Sequence, residues 1–476
     1  MFVGRQAELR ELHRLYHSGK FEMAVIYGRR RVGKTALINE FLRGKQGLSF
    51  TGLETSSREN LAHFSRAVMA GQLGLEGDTP VFPSFQAALN FVHEVSQSRR
   101  TVLVIDEYPY LAESYPAFSS LLQQTIDQKF ACGNLMLILC GSAMSFMEHQ
   151  VLGHKSPLYG RRTAQLKIHP FAFAEAALYF PRLAPEELAV LYGVTGGVPL
   201  YLSLMREELS IEENIRQTFL RPAGYLYEEP ANLLKQEVRE VALYNAIIKA
   251  IATGASRNNE IATKVGIESS ACTAYLKNLA ELGLVQRETP IAAQSTRKTI
   301  YSLADSMFRF WYRFIPDNVA LINNGMADRA YSRIEPHIPA FMGRVFEEIC
   351  KQHLWHLNKA NELPLQFTDI GRWWGNDPVQ RTEAEIDLLA YEDEQSALFA
   401  ECKWSNEPVG VAVLESLIQR GQLFRYPRKY FYLFSKVGFT KGCRERATEL
   451  GTVRLVTLQE IRESRSPTCP ARIYPS

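Results

Sequence analysis

Met23-Ala-Val-Ile-Tyr27 runs directly into Gly28-Arg29-Arg30-Arg31-Val32-Gly33-Lys34-Thr35-Ala36, and a helical pattern, Thr35–Leu42, follows. The first five residues are apolar enough for a strand covered on both faces, and the next eight match GxxxxGK[ST] in full. Glycine lets backbone wrap closely around phosphate oxygens, and the amides beside a helix N-terminus form a ready anion site. In that setting Lys34 would reach the β- and γ-phosphates and the Thr35 hydroxyl would ligate Mg²⁺. A glycine-flanked basic turn is the plainer alternative. The complete motif between strand and helix argues against it.

A phosphate loop of this kind needs an acidic partner at the end of a neighbouring strand. Thr101-Val-Leu-Val-Ile-Asp106-Glu107 supplies one, 72 residues after Lys34. Asp106 is the candidate for the Mg²⁺ shell and Glu107 for polarising the attacking water. A further strand, Leu135–Cys140, leads into Gly141-Ser142. There Ser142 either hydrogen-bonds the γ-phosphate or water, or simply turns the chain. Arg161 and Arg162 sit on an expected loop, where an arginine can stabilise a phosphoryl transition state or serve only as surface charge.

Composition narrows the classes. The 476 residues are 46% hydrophobic and 22% charged, a balance that suits buried cores and excludes wholesale disorder or a fibrous chain. With 54 basic and 51 acidic residues the net charge is +3, so no global field announces a polyanion partner. The longest apolar run, Leu135–Cys140, is six residues, well short of the roughly twenty that span a bilayer. The N-terminus lacks a basic stretch followed by an apolar block, so no signal peptide is expected. Seven scattered cysteines, none spaced as CxxC, argue against a disulfide framework or structural zinc and for a cytoplasmic location.

Strand-like runs at Met23–Tyr27, Gly47–Thr51, Val102–Ile105 and Leu135–Cys140 alternate with helical patterns, which predicts a parallel α/β sheet. Helices follow to about residue 240, interrupted at Gly193–Pro199. Runs at Ala242–Ala252, Asn259–Val265 and a third from Ser269, its expected N-cap, precede β-like segments beginning at Gly283 and Lys298. That order is the winged helix-turn-helix plan, with Ser270, Thr273, Lys277 and Asn278 facing outward. Residues 241–305 hold seven basic and five acidic side chains, so a packing or relay role is favoured over DNA reading.

A second α/β unit follows, with strands at Glu385–Tyr391, Ala397–Lys403 and Lys429–Ser435 and a helix at Val411–Gln422. Strand alternation puts Glu401 and Lys403 on one face, within reach of Asp387 on the neighbouring strand. Such a set can bind a divalent metal, with Asp387 and Glu401 as ligands, and orient water for phosphodiester cleavage. Ion pairing in a domain that kept only its fold is the alternative. Residues 421–476 carry eleven basic and four acidic side chains, either a phosphate track or a solvated surface.

Phe2-Val3-Gly4-Arg5 with Glu8-Leu9, the loop Gly28–Thr35, Asp106-Glu107-Tyr108-Pro109-Tyr110, Gly141-Ser142 and Leu158-Tyr159-Gly160-Arg161 together resemble the archaeal-type ATPase family of AAA+/STAND-like P-loop ATPases, over roughly residues 1–235. The resemblance implies ATP as the nucleotide. It also implies that Gly196-Gly197-Val198-Pro199 corresponds to a lid motif whose proline lies near the base; a helix-breaking turn at Pro199 is the structural alternative. The Asp387, Glu401 and Lys403 set resembles the PD-(D/E)xK nuclease core, over roughly 305–460. This resemblance places an upstream acid at Glu347 and a polar helix residue at Gln419, and it departs from the family in having Ile386 before the first acid.

The expected architecture is therefore α/β throughout: a P-loop NTPase core with a parallel sheet (1–180), a helical lid (181–240), a winged helix-turn-helix (241–305) and a restriction-endonuclease-like PD-(D/E)xK domain (306–476). The expected cofactors are ATP and Mg²⁺. DNA or RNA, a partner protein or a second copy of the chain are the candidate partners, and no membrane is expected.

Overall fold

The computed structural model describes residues 2–73, 80–291, 298–378 and 381–464. Arg465, Cys469 and Arg472 of the basic C-terminal stretch lie outside the described residues. The chain divides into two compact units, Met1–Pro170 and Phe171–Ser476.

In the first unit five parallel strands stand in the order β2-β3-β4-β1-β5: β1 (Glu22–Tyr27), β2 (Gly47–Thr51), β3 (Thr101–Asp106), β4 (Leu135–Gly141) and β5 (Ala164–Lys167). Every residue of β1, β3 and β4 is buried. Their alternation splits the core into two faces. Met23, Val25, Leu103, Ile105 and Leu137 pack on one side, while Ala24, Ile26, Val102, Val104 and Ile138 pack on the other. A strand buried on both faces reads as an unbroken apolar run, which is how these three were visible in the sequence. The edge strand β5, Ala-Gln-Leu-Lys, alternates half-buried with exposed residues and carries no such signal. Parallel pairing brings the C-terminal ends of β1, β3 and β4 to one rim of the sheet, where ligands of open α/β sheets bind.

The second unit begins with helices Phe173–Tyr179, Pro185–Thr195, Pro199–Ser203, Ile211–Phe219 and Glu229–Glu237. Three helices, Val241–Ala252, Asn258–Val265 and Ser269–Glu281, and the antiparallel pair β6 (Val285–Glu288) and β7 (Ile300–Leu303) form the winged helix. Ser269 is not the cap of the third helix but its first residue. Glu268 takes the N-cap position and makes no side-chain cap bond. The C-terminal sheet has the order β12-β11-β10-β9-β8, from β8 (Asp369–Asp377), β9 (Thr382–Tyr391), β10 (Ser396–Lys403), β11 (Arg428–Ser435) and β12 (Val453–Thr457). Strands β8, β9 and β10 pair antiparallel, while β10, β11 and β12 pair parallel, so the sheet is mixed.

One continuous buried cluster runs through the early helices, the winged helix and the long helix Ile338–Ala360. Gly193 lets the helix Pro185–Thr195 pack closely on that long helix: a Cβ there would lie 3.0 Å from the Met342 sulfur and 3.1 Å from a Val345 methyl. The wing is docked as well. Glu288 at the end of β6 receives Arg344 Nη2 at 3.0 Å and Arg372 Nη1 at 3.6 Å. Ile291 N donates to the Arg372 carbonyl at 2.9 Å, and its side chain joins Ile386, Leu389 and Phe399 in the core of the C-terminal sheet. Removing a buried isoleucine to alanine costs about 2–5 kcal/mol. Ile291→Ala is therefore expected to lower local stability by that amount, seen as faster amide exchange in 285–288 and 369–377. Unchanged exchange in both strands would refute this account of the docked wing.

Candidate functional site

Gly28 must lack a side chain, because a Cβ there would lie 2.3 Å from the Ile168 carbonyl oxygen. The loop then climbs through Arg29, Arg30 and Arg31, the last at φ 72°, to Gly33 at φ 87°, which caps the helix Lys34–Leu42. Left-handed backbone at two of these positions curls the chain so that consecutive amides face one hollow. Val32 is wholly buried behind the loop, and Ala36 is exposed in the first helical turn. Arg30 Nη2 donates to the Tyr110 hydroxyl at 2.9 Å, tying the loop to the helix Tyr108–Ser114.

Lys34 is 6% exposed, and its ammonium donates to the carbonyls of Gly28 at 2.9 Å and Arg29 at 3.0 Å. Burial pulls its pKa below the ordinary lysine value. Cys140, Glu107 and Asp106 pull the other way. Thr35 Oγ1 donates to Asp106 Oδ2 at 2.9 Å, joining positions 71 residues apart. A hydroxyl and a carboxylate oxygen converging in this way are the hard donors that magnesium takes when substrate phosphates and water complete its shell. The residues present fit that ion.

Glu107 sits at φ 46°, a left-handed conformation costly for a residue with a side chain and often found at functional sites. Its carboxylate accepts the Ser142 hydroxyl at 2.9 and 3.0 Å and the Ser142 amide at 3.2 Å. The structure thus brings Lys34, Thr35, Asp106, Glu107 and Ser142 together on the rim of the sheet. Arg161 is engaged elsewhere: Asp127 accepts its Nε at 2.8 Å and its Nη2 at 2.7 Å. Pro199, in the second unit, opens the helix Pro199–Ser203. Sequence reasoning missed Cys140, whose wholly buried thiol is pushed well up in pKa by burial and by adjacent Asp106. A residue ending a hydrophobic strand gives no sign of what its neighbours carry.

The second unit holds a cavity of about 440 Å³, and Asp387, Glu401, Lys403 and Gln419 all line it. Lys403 Nζ donates to Glu401 Oε1 at 2.6 Å, and Asp387 accepts the Cys402 amide at 2.8 Å. Arg420, unforeseen from the sequence, donates to Glu401 Oε2 at 2.9 Å and to the Ser416 hydroxyl at 3.1 Å. Positions 416, 419 and 420 share a helix face, which was the available clue. Burial, reinforced by Glu401 and Glu347, pushes Asp387 up to about 7. Glu347 is held by Arg344 at 2.7 Å and does not line the cavity.

Both Glu401 oxygens are thus taken by cations, and among the described residues no three acidic, histidine or cysteine side chains converge as metal ligands. In this arrangement the set does not fit a divalent ion. On the winged helix, Ser270, Thr273, Lys277 and Asn278 are all exposed; Thr273 Oγ1 donates to the Ser269 carbonyl, Asn278 Nδ2 to the Tyr244 hydroxyl, and Lys277 pairs with Glu281 at 3.9 Å.

Comparison with known proteins agrees with the loop geometry. A model of the ATPase domain predominantly from Archaea matches residues 2–205, a winged helix-turn-helix DNA-binding model matches 246–286, and a model of archaeal and bacterial proteins of unknown function matches 311–415. Uncharacterized protein MJECL04 of Methanocaldococcus jannaschii is 36% identical over 408 residues, 85% of this chain and 88% of its own. The uncharacterized ATP-binding protein MJ0423 of the same organism is 50% identical over 46 residues, 10% of this chain and 78% of its own. Among solved structures, the Walker-type ATPase PABY2304 of Pyrococcus abyssi aligns with a TM-score of 0.49 and 18% identity, over 66% of this chain and 96% of that one. No helix among the described residues is long and apolar enough to cross a membrane. With a relative this similar along most of its length and an ATPase domain matched across the phosphate loop, the chain belongs to the archaeal-type family of P-loop ATPases.

Proposed function

We propose that this chain is a cytoplasmic, magnesium-dependent ATPase whose nucleotide state is coupled to its nuclease-like C-terminal domain. The observation that carries the proposal is the Thr35–Asp106 hydrogen bond beside the buried Lys34. Gly28 to Ala36 supply the amides around the terminal phosphates, and Lys34 turns from its two carbonyls to the β- and γ-phosphates. Thr35 and Asp106 hold the magnesium ion, which when bound draws off charge developing on the phosphoryl oxygens. Glu107, released from Ser142, accepts a proton from the attacking water, and Ser142 orients that water. Pro199 contacts the adenine. Arg161 leaves Asp127 to meet the γ-phosphate, in its own chain or across a contact with a second copy.

For the C-terminal cavity the observation on Glu401 favours a second function, an ATP-switched DNA-binding or scaffold regulator with an inactive nuclease-like domain. A carboxylate satisfied by Lys403 and Arg420 is an internal ion pair, not an open ligand. DNA is the partner considered first, through the winged helix, with RNA or a partner protein as the alternatives.

Lys34→Ala is expected to abolish ATP binding in calorimetry, and Glu107→Gln to bind ATP but turn over at least about a hundredfold more slowly. Parental turnover in Glu107→Gln would remove it from the base role. If the C-terminal domain cuts nucleic acid, purified protein with Mg²⁺ or Mn²⁺ cleaves DNA or RNA, and Lys403→Ala loses cleavage while keeping ATP hydrolysis. No cleavage with any nucleotide leaves the regulator. Because Asp387 is raised to about 7, the folded state keeps its proton where the unfolded chain has lost it. Its stability contribution is whole below pH 4 and is lost as pH rises through about 7. Asp387→Asn should therefore melt higher than the parent at pH 8 and show no such advantage at pH 4.

A further inference from the structure

We propose that Arg5 is a positioning residue for the nucleotide's phosphates: it fixes the peptide plane between Val32 and Gly33 from behind the loop. The proposal rests on the ATPase reading above and adds to it a residue that never touches the nucleotide. Arg5 is 5% exposed, and its backbone, at φ 60° after Gly4 at φ 70°, is left-handed. Two consecutive left-handed residues turn the side chain inward immediately before the helix Gln6–His17. One nitrogen then does two jobs. Arg5 Nη2 donates to the Val32 carbonyl at 3.1 Å and to the His169 carbonyl, while Nη1 reaches Glu8 at 3.4 Å.

The consequence follows from peptide geometry. In a trans peptide the C=O of one residue and the N–H of the next point in opposite directions from a rigid plane. Pinning the Val32 oxygen toward Arg5 therefore aims the Gly33 amide hydrogen the other way, into the hollow of the phosphate loop. The His169 bond anchors the same guanidinium to the chain just past β5, whose Ile168 carbonyl abuts Gly28. Arg5 thus braces both ends of the loop. Its task differs from that of Lys34, whose bonds to the Gly28 and Arg29 carbonyls must open when phosphates arrive. The Arg5 bonds stay made whether the loop is empty or filled. Lysine is a poor substitute, because a single ammonium on a flexible stem lacks the planar fork that reaches two carbonyls and a carboxylate.

The test compares the parent, Arg5→Ala and Arg5→Lys by calorimetry with ATP, ADP and adenosine, and by steady-state ATP hydrolysis. Losing a charged hydrogen bond that shapes an anion site should weaken ATP and ADP binding at least about tenfold in Arg5→Ala, and less in Arg5→Lys. Adenosine affinity should not change. KM should rise in step with the lost affinity while kcat stays within about threefold, because Arg5 touches no reacting atom. A folded Arg5→Ala protein that melts lower but binds ATP as tightly as the parent would reduce Arg5 to a fold brace and overturn the proposal. Equal losses for adenosine would do the same by showing a contact with the nucleoside. Should Arg5→Ala fail to fold, Arg5→Lys decides alone, and unchanged ATP and ADP affinity overturns the proposal. A parent protein that binds no ATP would instead count against the ATPase reading.

Discussion

A backbone that turns its amides toward an anion must turn its carbonyls toward the protein, and a buried carbonyl without a donor is costly. The loop from Gly28 to Gly33 is built around this constraint. Lys34 serves the carbonyls of Gly28 and Arg29, and Arg5 serves that of Val32. Both cations are buried, which is unfavourable for a charge unless several acceptors meet it. Lysine and arginine here divide the carbonyls between them, the first two of the loop going to Lys34 and that of Val32 to Arg5. The sheet supplies the stiffness this needs. Three fully buried parallel strands end at the same rim, so the loop, Asp106 and Ser142 start from positions that the core already determines.

The second unit solves a different problem. Its winged helix does not stand apart, because Ile291 enters the core of the C-terminal sheet and Glu288 meets Arg344 and Arg372. Arg344 also holds Glu347, and the negative charge of Glu347 contributes to the raised pKa of Asp387. Two ion pairs, Glu288–Arg344 and Arg344–Glu347, therefore lead from the wing hairpin toward the carboxylate cavity, where Glu347 acts on Asp387 by like-charge repulsion. Desolvated ion pairs of this kind are weak as sources of stability but strong as fixed registers, since removing one member strands the next. The modest net charge of the winged helix agrees with a module whose wing packs inward.

Much of the first unit was legible in the sequence, for a physical reason. A phosphate loop is a local motif, and strands covered on both faces are unbroken apolar runs, so chemistry and topology both leave short-range marks. The helix ends at Leu42 and Gly421 fell within a residue of the sequence pattern. What escaped notice was non-local or lay at an edge. Strand β5 is four residues at a sheet margin, and β8, with Trp373, Trp374 and two glycines, has neither alternation nor an apolar run. Arg5 entered the sequence reading only as part of the Phe2–Arg5 stretch of the resemblance, and its left-handed backbone is what turns it toward Val32. Glu401 and Lys403 shared a face as strand periodicity requires. Arg420 reached Glu401 from a helix whose placement no spacing rule gives.

That last contact governs how the C-terminal cavity behaves. Glu401 is 4% exposed, and a carboxylate so buried needs its charge answered at both oxygens. Lys403 answers from the same strand and Arg420 from the following helix, while Asp387 keeps its proton up to about pH 7 and adds little further charge. The resting cavity is thus close to self-neutralised at its centre, although Asp377, Glu383 and Glu385 ring it with further carboxylates. A cation seated at Glu401 must displace a side chain already bonded there, and Arg420, which also donates to the Glu385 carbonyl at 3.0 Å and the Ser416 hydroxyl at 3.1 Å, is the more firmly tied of the two. It sits in the last turn of the helix Val411–Gly421, whose Leu417 packs with Phe399 of β10, so helix and strand hold Glu401 between them. A charge left unanswered in that position would be severely destabilising on its own. Glu401 and the helix Val411–Gly421 are therefore linked, because moving Arg420 away strands a buried carboxylate.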